Sequence, residues 1–316
     1  MSGLSIHSTL RMNSGYDIPM LGYGVYQTPS DIAESVVTHA VQTGYRHVDS
    51  AAVYQNEAPC AIALHKSSLP RSSLFFTSKI SPKAMSYDAA TECIDRTLEL
   101  TGLEYIDLYL IHAPYPSRPA RLSAWSALVA AQRAGKIRSL GVSNYGLHHL
   151  AELEAHIKEV DEKEGPGTGG VVSVGQWEVH PWCERKEIVE WCRERDVVVE
   201  VRSRDQCYHF LDGGFGMGVD LRWLQAYCPL VRGERFDEPV LEPLMARYNK
   251  TAAQILLRWS LQKNLLPLPK SITPSRITEN ADVFDFSLTE EEVQSLETGE
   301  YAPCSWDPTV YRDEQA

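Results

Sequence analysis

Apolar and polar positions along the chain follow two repeating patterns, short apolar runs and longer stretches with a helical period. The apolar runs predict strands at residues 45–49, 74–79, 105–112, 137–143, 171–177, 197–200, 265–269 and 282–286. The intervening stretches predict helices at residues 30–43, 56–66, 88–101, 120–134, 147–160, 184–195, 239–247, 251–263, 274–280 and 289–297. Each predicted strand is therefore joined to the next through helix.

Eight β/α units in one chain favour a closed parallel barrel over an open doubly wound sheet. The predicted fold is an α/β protein, a (β/α)8 TIM barrel, whose apolar strands suit a sheet that is covered on both faces. Residues 5–23 predict a short N-terminal β-hairpin that turns at Asn13-Ser-Gly15. We expect a single barrel domain over residues 1–316.

Three polar residues close predicted strands, and a fourth follows at short range. Asp49, Lys79 and His112 stand at the C-terminal ends of their strands, and Tyr54 comes five residues after Asp49. The C-terminal strand ends of a parallel barrel meet at one mouth, so these four side chains are expected to converge there.

These residue types suit acid catalysis by a phenol. An unperturbed phenol has a pKa of about 10 and donates a proton poorly near neutral pH. The Lys79 ammonium would stabilise the phenolate and lower the pKa of Tyr54, and the Asp49 carboxylate would hold that ammonium in place. Taken singly, each residue also reads as a solvated strand end or as a packing residue.

With their flanking residues, Asp49, Tyr54, Lys79 and His112 resemble the active-site tetrad of the aldo-keto reductase family. The resemblance runs from about Met12 to Thr289. It implies an NADP-dependent oxidoreductase that reduces small aldehydes or ketones. In that reaction Tyr54 protonates the carbonyl oxygen and His112 orients it.

Several further blocks carry the cofactor prediction. In Gly22-Tyr-Gly24-Val25-Tyr26, the glycines let backbone approach a ligand closely. By resemblance, Ser143, Asn144 and Gln176 hydrogen-bond the nicotinamide carboxamide, which needs both donors and acceptors. The alternative for Ser143 and Asn144 is that they cap the next helix.

The segment from Pro269 to Asn280 contains cations beside a predicted helix start, which is a favourable setting for an anion. By resemblance, Lys270, Ser271 and Arg276 hold the adenosine 2′-phosphate, and Glu279 and Asn280 hold the adenine. The resemblance therefore favours NADPH (oxidised form NADP), with NADH as a possible alternative and a solvated helix start as the reading without a ligand.

Aromatic residues predict the substrate pocket. Tyr26, Trp177 and Trp306 would line it beside His112, although Trp177 and the nearby Trp182 fit core packing equally well. These residues do not choose among sugar aldehydes, ketoacids and xenobiotic carbonyls.

A predicted insertion at residues 201–225 interrupts strand 6. Removing it joins Glu200 to Ala226-Tyr-Cys-Pro-Leu230, where the resembled family has a tyrosine, here Tyr227, that stacks on the nicotinamide. A strand that continued straight on would put Arg202 at this position. The segment is either a genuine loop or a translated intron, and it opens the alternative of a nucleotide-binding barrel with impaired catalysis.

Charge and composition exclude several classes of binding partner. A net charge of −12 argues against nucleic acid and anionic membranes, and no apolar run is long enough to span a bilayer. The seven cysteines lack metal-site spacing, and the N-terminus lacks a signal-peptide pattern, so we expect a cytoplasmic protein without a metal. A metal-dependent hydrolase is disfavoured because His148-His149 and His180 lack carboxylates at ligand spacing. The sequence does not specify an oligomeric state.

Overall fold

Eight parallel strands form a barrel in a computed structural model that describes residues 3–202, 230–304 and 306–313. Strands that are neighbours in the chain are hydrogen-bonded neighbours in the sheet. The ring closes where the Gly22 N–H donates to the Pro267 carbonyl (3.1 Å) and the Gly24 N–H donates to the Pro269 carbonyl (3.0 Å). The strands are β3 (Tyr23–Gly24), β4 (His47–Asp49), β5 (Phe75–Ile80), β6 (Ile106–Ile111), β7 (Ile137–Ser143), β8 (Val174–Trp177), β9 (Val198–Arg202) and β10 (Leu266–Leu268).

The predicted barrel is confirmed, but one of its predicted strands is wrong. Residues 282–286 are irregular, and the remaining strand is β3, which precedes the first predicted one. Backbone carbonyls of residues 282 and 283 accept hydrogen bonds from side chains rather than from a neighbouring strand. Gln254 Nε2 donates to the Asp282 carbonyl (2.8 Å), and the buried Arg258 donates to the Val283 carbonyl (3.1 Å).

The predicted hairpin forms and closes the N-terminal end of the barrel. It consists of β1 (Thr9–Arg11) and β2 (Asp17–Pro19), which pair antiparallel. Met12 and Ile18 are buried in one apolar cluster with residues of β5, β6, β8 and β10. In the described part of the chain, the C-terminal ends of the strands are left as a mouth.

Helices surround the sheet, and their bounds lie close to the predicted ones. Ser86 and Thr251 cap the helices that begin at Tyr87 and Ala252 by accepting hydrogen bonds from backbone N–H groups in the first turn, which explains where these helices begin. In the part of the chain that is described, no helix has the length and apolar character needed to cross a bilayer. The helices are α1 (Ser30–Thr43), α2 (Glu57–Lys66), α3 (Tyr87–Thr101), α4 (Arg118–Arg133), α5 (Leu147–Glu164), α6 (Lys186–Arg193), α7 (Glu242–Tyr248), α8 (Ala252–Gln262), α9 (Pro274–Ala281) and α10 (Glu290–Ser295).

Every second residue of a strand faces the barrel interior, and the chemistry of these residues changes along the strand. On β6 the buried Leu108 and Leu110 share a face, and His112 follows in the same alternation. On β5 the alternating set ends in Lys79. The interior is therefore apolar above the hairpin and polar at the mouth.

Close strand contact requires glycine at position 141 on β7. A Cβ there would lie 2.1 Å from the Val174 carbonyl oxygen and 2.7 Å from Leu110 Cδ2. We expect Gly141→Ala to lower the free energy of unfolding by about 1–3 kcal/mol, because neighbouring backbone has to shift. Chemical denaturation measures this loss. A loss of less than about 1 kcal/mol would contradict the steric explanation.

Candidate active site

A buried ion pair occupies the centre of the mouth. Lys79 Nζ donates to Asp49 Oδ2 (2.6 Å) and to the Ser50 carbonyl (2.8 Å), and both side chains of the ion pair are fully buried. Strands β4 and β5 are neighbours with Asp49 opposite Thr77, so the two charged groups meet across the top of one strand pair. A buried ammonium held at two oxygens has a fixed position.

Tyr54 lies beside this pair and also contacts His112. Its hydroxyl is 3.2 Å from His112 Nε2, and the two rings meet edge to face. Lys79 Nζ is 5.5 Å from the centroid of the Tyr54 ring. The short helix Ala52–Tyr54 that follows β4 turns the phenol back over the mouth. The structure therefore brings together the four residues that were predicted as catalytic.

His112 is neutral in this setting. Burial and the nearby Lys79 ammonium lower its pKa to about 3, although the Asp49 carboxylate opposes them. A neutral imidazole has one donor and one acceptor nitrogen, so His112 can exchange a hydrogen bond with a hydroxyl or a carbonyl oxygen.

Ser143, Asn144 and Gln176 form a second polar group at the ends of β7 and β8. Ser143 Oγ donates to the Gln176 carbonyl (3.0 Å), and Asn144 Nδ2 donates to the His112 carbonyl (2.9 Å). Neither residue caps α5, whose N-cap is Gly146. Asn144 has a positive φ of 69°, which asparagine tolerates better than most residues. Within the described ranges, its buried Oδ1 has no donor in reach.

The backbone of the β3 end is held close to the site. The Val25 N–H donates to the Asp49 carbonyl (3.0 Å), and Asn56 Nδ2 donates to the Val25 carbonyl (2.8 Å). A Cβ on Gly24 would lie 3.2 Å from the Leu268 carbonyl. Glycine thus lets β3 lie close to the backbone at the end of β10.

The predicted nucleotide segment follows β10 and continues into α9. Lys270, Ser271 and Asn280 are buried, whereas Arg276 is exposed on α9. The Ser271 carbonyl accepts from the Tyr23 hydroxyl (2.5 Å), and Glu279 Oε1 accepts from Thr251 Oγ1 (2.7 Å). These residues share one side of the mouth with β3.

Aromatic rings surround the opening. Tyr26 packs edge-on against Tyr54 with ring centroids 5.1 Å apart. Trp306 Nε1 donates to the Tyr115 hydroxyl (2.8 Å), and the Tyr115 ring also packs edge-on against Tyr311. Tyr115 follows His112 by three residues, so this aromatic group begins where β6 ends.

Two buried arginines attach the segment that carries Trp306. Arg185 Nη2 donates to Asp307 Oδ1 (3.1 Å), and Arg121 Nη1 donates to Asp313 Oδ1 (2.8 Å). The C-terminal residues are therefore fastened to α4 and to the start of α6.

Trp177 does not join the aromatic residues around the mouth. It is 1% exposed, its Nε1 donates to the Tyr145 carbonyl (2.8 Å), and its ring covers Gly175. Strand alternation puts Trp177 on the face of β8 opposite to Gln176. These contacts favour the packing interpretation for Trp177, and Trp182 is equally buried.

Strand β9 continues into the predicted insertion. Val201 pairs with Pro267 and Arg202 pairs with Leu268, so the backbone of these two residues belongs to the sheet. The strand is thus longer than the predicted 197–200. Residues 203–225 and Tyr227 lie outside the described residues.

His180 has a carboxylate neighbour, contrary to the sequence interpretation. Its Nε2 lies 2.9 Å from Glu178 Oε1 and 3.4 Å from Cys304 Sγ. The Trp182 N–H donates to His180 Nδ1 (3.3 Å), which leaves Nε2 of a neutral ring as the donor to Glu178. The Cys304 N–H also donates to Glu178 (2.5 Å), so this cluster ties the C-terminal segment to the end of β8.

Two residues at the site were not singled out from the sequence as functional. Glu200 on β9 is fully buried and accepts from Gln176 Nε2 (2.9 Å), and Ser50 supplies a carbonyl to Lys79. Strand alternation was the available signal for Glu200, because it follows Val198 by two residues.

Comparison with known proteins agrees with this fold. The profile described as "Aldo/keto reductase family" matches residues 20–215 and 222–299. The chain is 34% identical to glyoxal reductase of Bacillus subtilis over 296 residues, covering 93% of each chain. It is 32% identical to methylglyoxal reductase DkgA of Yersinia pestis over 295 residues, again covering 93% of each.

Solved structures give the same result. An aldo/keto reductase from Brucella melitensis superimposes with a TM-score of 0.77 and 33% identity, covering 92% of this chain and 98% of that one. A Gox0644 mutant in complex with NADPH superimposes with a TM-score of 0.78 and 26% identity, covering 96% and 98%. The family profile and the relatives identify this barrel as an oxidoreductase. The chain belongs to the aldo/keto reductase family.

Proposed function

We propose that this protein reduces aldehydes or ketones to alcohols with NADPH as the hydride donor. The observation that carries the proposal is the convergence of Tyr54, His112, Lys79 and Asp49 at the open end of the barrel. Membership of the aldo/keto reductase family and the NADPH bound to a structural neighbour support the same activity.

The residues at the mouth fit a nicotinamide nucleotide. Asn144 Oδ1 is a buried acceptor without a donor among the described residues, and a carboxamide offers an N–H. Ser143 and Gln176 provide further hydrogen-bonding groups beside it, and Gly24 with Val25 provides close backbone. Lys270, Ser271 and Arg276 would hold the 2′-phosphate, with Glu279 and Asn280 at the adenine. Tyr227 is proposed to stack on the nicotinamide ring.

In the proposed reaction, Tyr54 donates its hydroxyl proton to the carbonyl oxygen of the substrate. NADPH, when bound, supplies the hydride that reduces the carbonyl carbon. Lys79 stabilises the phenolate that Tyr54 leaves behind, and Asp49 holds Lys79 in position. Neutral His112 donates a hydrogen bond to the carbonyl oxygen and so orients it.

Tyr26 and Trp306 are proposed to line the substrate site beside His112. Trp177 is less well placed for this role because of its contacts on the outer face of β8. The test of the proposed function follows NADPH absorbance over a panel of carbonyl compounds. Glyoxal and methylglyoxal belong in the panel because two relatives are named for them.

We expect NADPH oxidation with at least one aldehyde. Binding of NADPH without turnover of any carbonyl would contradict the reductase and favour the impaired nucleotide-binding barrel. That alternative rests on the predicted insertion, which begins within the strand that carries Glu200.

Arg276→Ala tests the choice between the two nucleotides. We expect the KM for NADPH to rise about tenfold, because a charged hydrogen bond to the 2′-phosphate is lost, while the KM for NADH stays unchanged. Steady-state kinetics with both nucleotides measure the two values. Arg247→Ala is the control, since Arg247 is exposed on α7 and pairs with Glu292. An equal rise for NADPH and NADH would contradict recognition of the 2′-phosphate.

A further inference from the structure

Gln176 is held between two carboxyl groups inside the barrel. Its Nε2 is 3.0 Å from Asp49 Oδ2 and 2.9 Å from Glu200 Oε2. An amide nitrogen has two hydrogens, and both are used by these contacts. The amide oxygen is therefore directed away from Asp49 and Glu200.

The hydrogen-bonding needs of Asp49 and Glu200 determine the orientation of the Gln176 amide. Asp49 Oδ2 accepts from Lys79 and carries no proton, so it requires a donor from Gln176. A flipped amide would put its oxygen against Asp49 Oδ2. The hydrogen bond to Asp49 determines that the amide nitrogen, not the oxygen, faces Asp49. This single bond still allows the plane of the amide to rotate. The second bond, to Glu200, fixes its plane.

We propose that Glu200 is a positioning residue for the nicotinamide site, because it orients the Gln176 amide so that its oxygen is presented to the cofactor carboxamide. This inference rests on the proposed function. Glu200 and Gln176 lie directly opposite each other on neighbouring strands, so the contact follows from strand register.

The surroundings of Glu200 favour its protonated form. Among the described side chains, the ionisable groups that face it are His47 and Asp49 on β4 and Lys79 on β5. Strand β10 (Leu266–Leu268) has no ionisable residue. Burial and the Asp49 charge raise the pKa of Glu200. A protonated Glu200 still accepts from Gln176 and adds no second negative charge beside the Asp49–Lys79 pair.

Two variants separate the hydrogen bond from the charge. Glu200→Gln keeps an acceptor for Gln176 and imitates the protonated carboxyl, whereas Glu200→Leu fills similar space without an acceptor. We expect Glu200→Leu to raise the Kd and KM for NADPH about fivefold, as one lost neutral hydrogen bond predicts, with kcat changed less than about twofold. Glu200→Gln should stay within about twofold of wild type in all three.

Tryptophan fluorescence gives the Kd, and NADPH absorbance gives KM and kcat. Glu57→Leu is the matched control, because Glu57 is also buried but bonds Ser78 and Thr97 outside the Gln176 network. Its Kd for NADPH should remain at the wild-type value. Thermal melting identifies variants that are folded.

Two results would overturn the positioning role. One is wild-type affinity for NADPH in folded Glu200→Leu, and the other is an equal loss of affinity in Glu200→Gln and Glu200→Leu. Wild-type protein that binds NADPH but reduces no carbonyl would overturn the proposed activity, while the Kd comparison still decides the role of Glu200. Wild-type protein that binds no nicotinamide nucleotide would overturn both.

Discussion

Tyr54→Phe is expected to reduce kcat for NADPH-dependent carbonyl reduction about a thousandfold, since a general acid contributes roughly 10²- to 10⁴-fold. The phenylalanine ring keeps the edge-on contacts of Tyr54 with Tyr26 and His112 but has no proton to donate. The Kd for NADPH should change less than about twofold. Initial rates with a reactive aldehyde and fluorescence titration measure the two quantities.

Tyr109→Phe is the control for this change. Tyr109 is buried on β6, the strand that His112 follows, and its hydroxyl bonds Thr97 away from the mouth. Its loss should leave kcat close to that of wild type. A Tyr54→Phe enzyme that retained most of its rate, or one that lost NADPH binding together with its rate, would refute the proton-donor role.

Lys79→Met is expected to have the largest effect on stability. It leaves the fully buried Asp49 carboxylate without its ammonium, and removing one partner of a buried pair costs about 3–5 kcal/mol of unfolding free energy. Denaturant unfolding measures the loss. The double variant Asp49→Asn with Lys79→Met should recover much of it, because no uncompensated charge remains.

An exposed pair provides the comparison. Lys136 and Asp95 are 2.5 Å apart but are 38% and 51% exposed, so Lys136→Met should cost less than about 1 kcal/mol. Equal losses at Lys79 and Lys136 would show that burial does not control the energy of the pair. Failure of the double variant to recover stability would point to lost packing of the lysine stem.

Much of the barrel could be predicted because its strands are apolar runs separated by helices. Asp49, Lys79 and His112 were identifiable since each ends such a run, and parallel strands bring their C-terminal ends together. The residue types alone did not fix the distances. Those depend on strand pairing, such as Asp49 opposite Thr77.

The eighth strand escaped prediction for a physical reason. Only Tyr23–Gly24 pairs as β3, which is too short and too rich in glycine to display a strand pattern. Residues 282–286 contain three apolar side chains, but Phe286 packs against a helix. Phe286 lies 5.2 Å from the ring of Tyr248 on α7.

Side-chain direction explains the remaining differences. Gln176 and Trp177 are adjacent in sequence, yet alternation sends one into the barrel and the other onto its outer face. The contact between Glu200 and Gln176 requires knowledge of which strands are neighbours. The Glu178–His180 contact depends on the backbone turning after β8, which periodicity does not reveal.

The N-terminal hairpin closes one end of the barrel. Met12 and Ile18 fill this end of the barrel, so among the described residues a reactant approaches the catalytic groups from the C-terminal ends of the strands. A ligand bound deep in the barrel would then dissociate only after a second ligand bound above it has left.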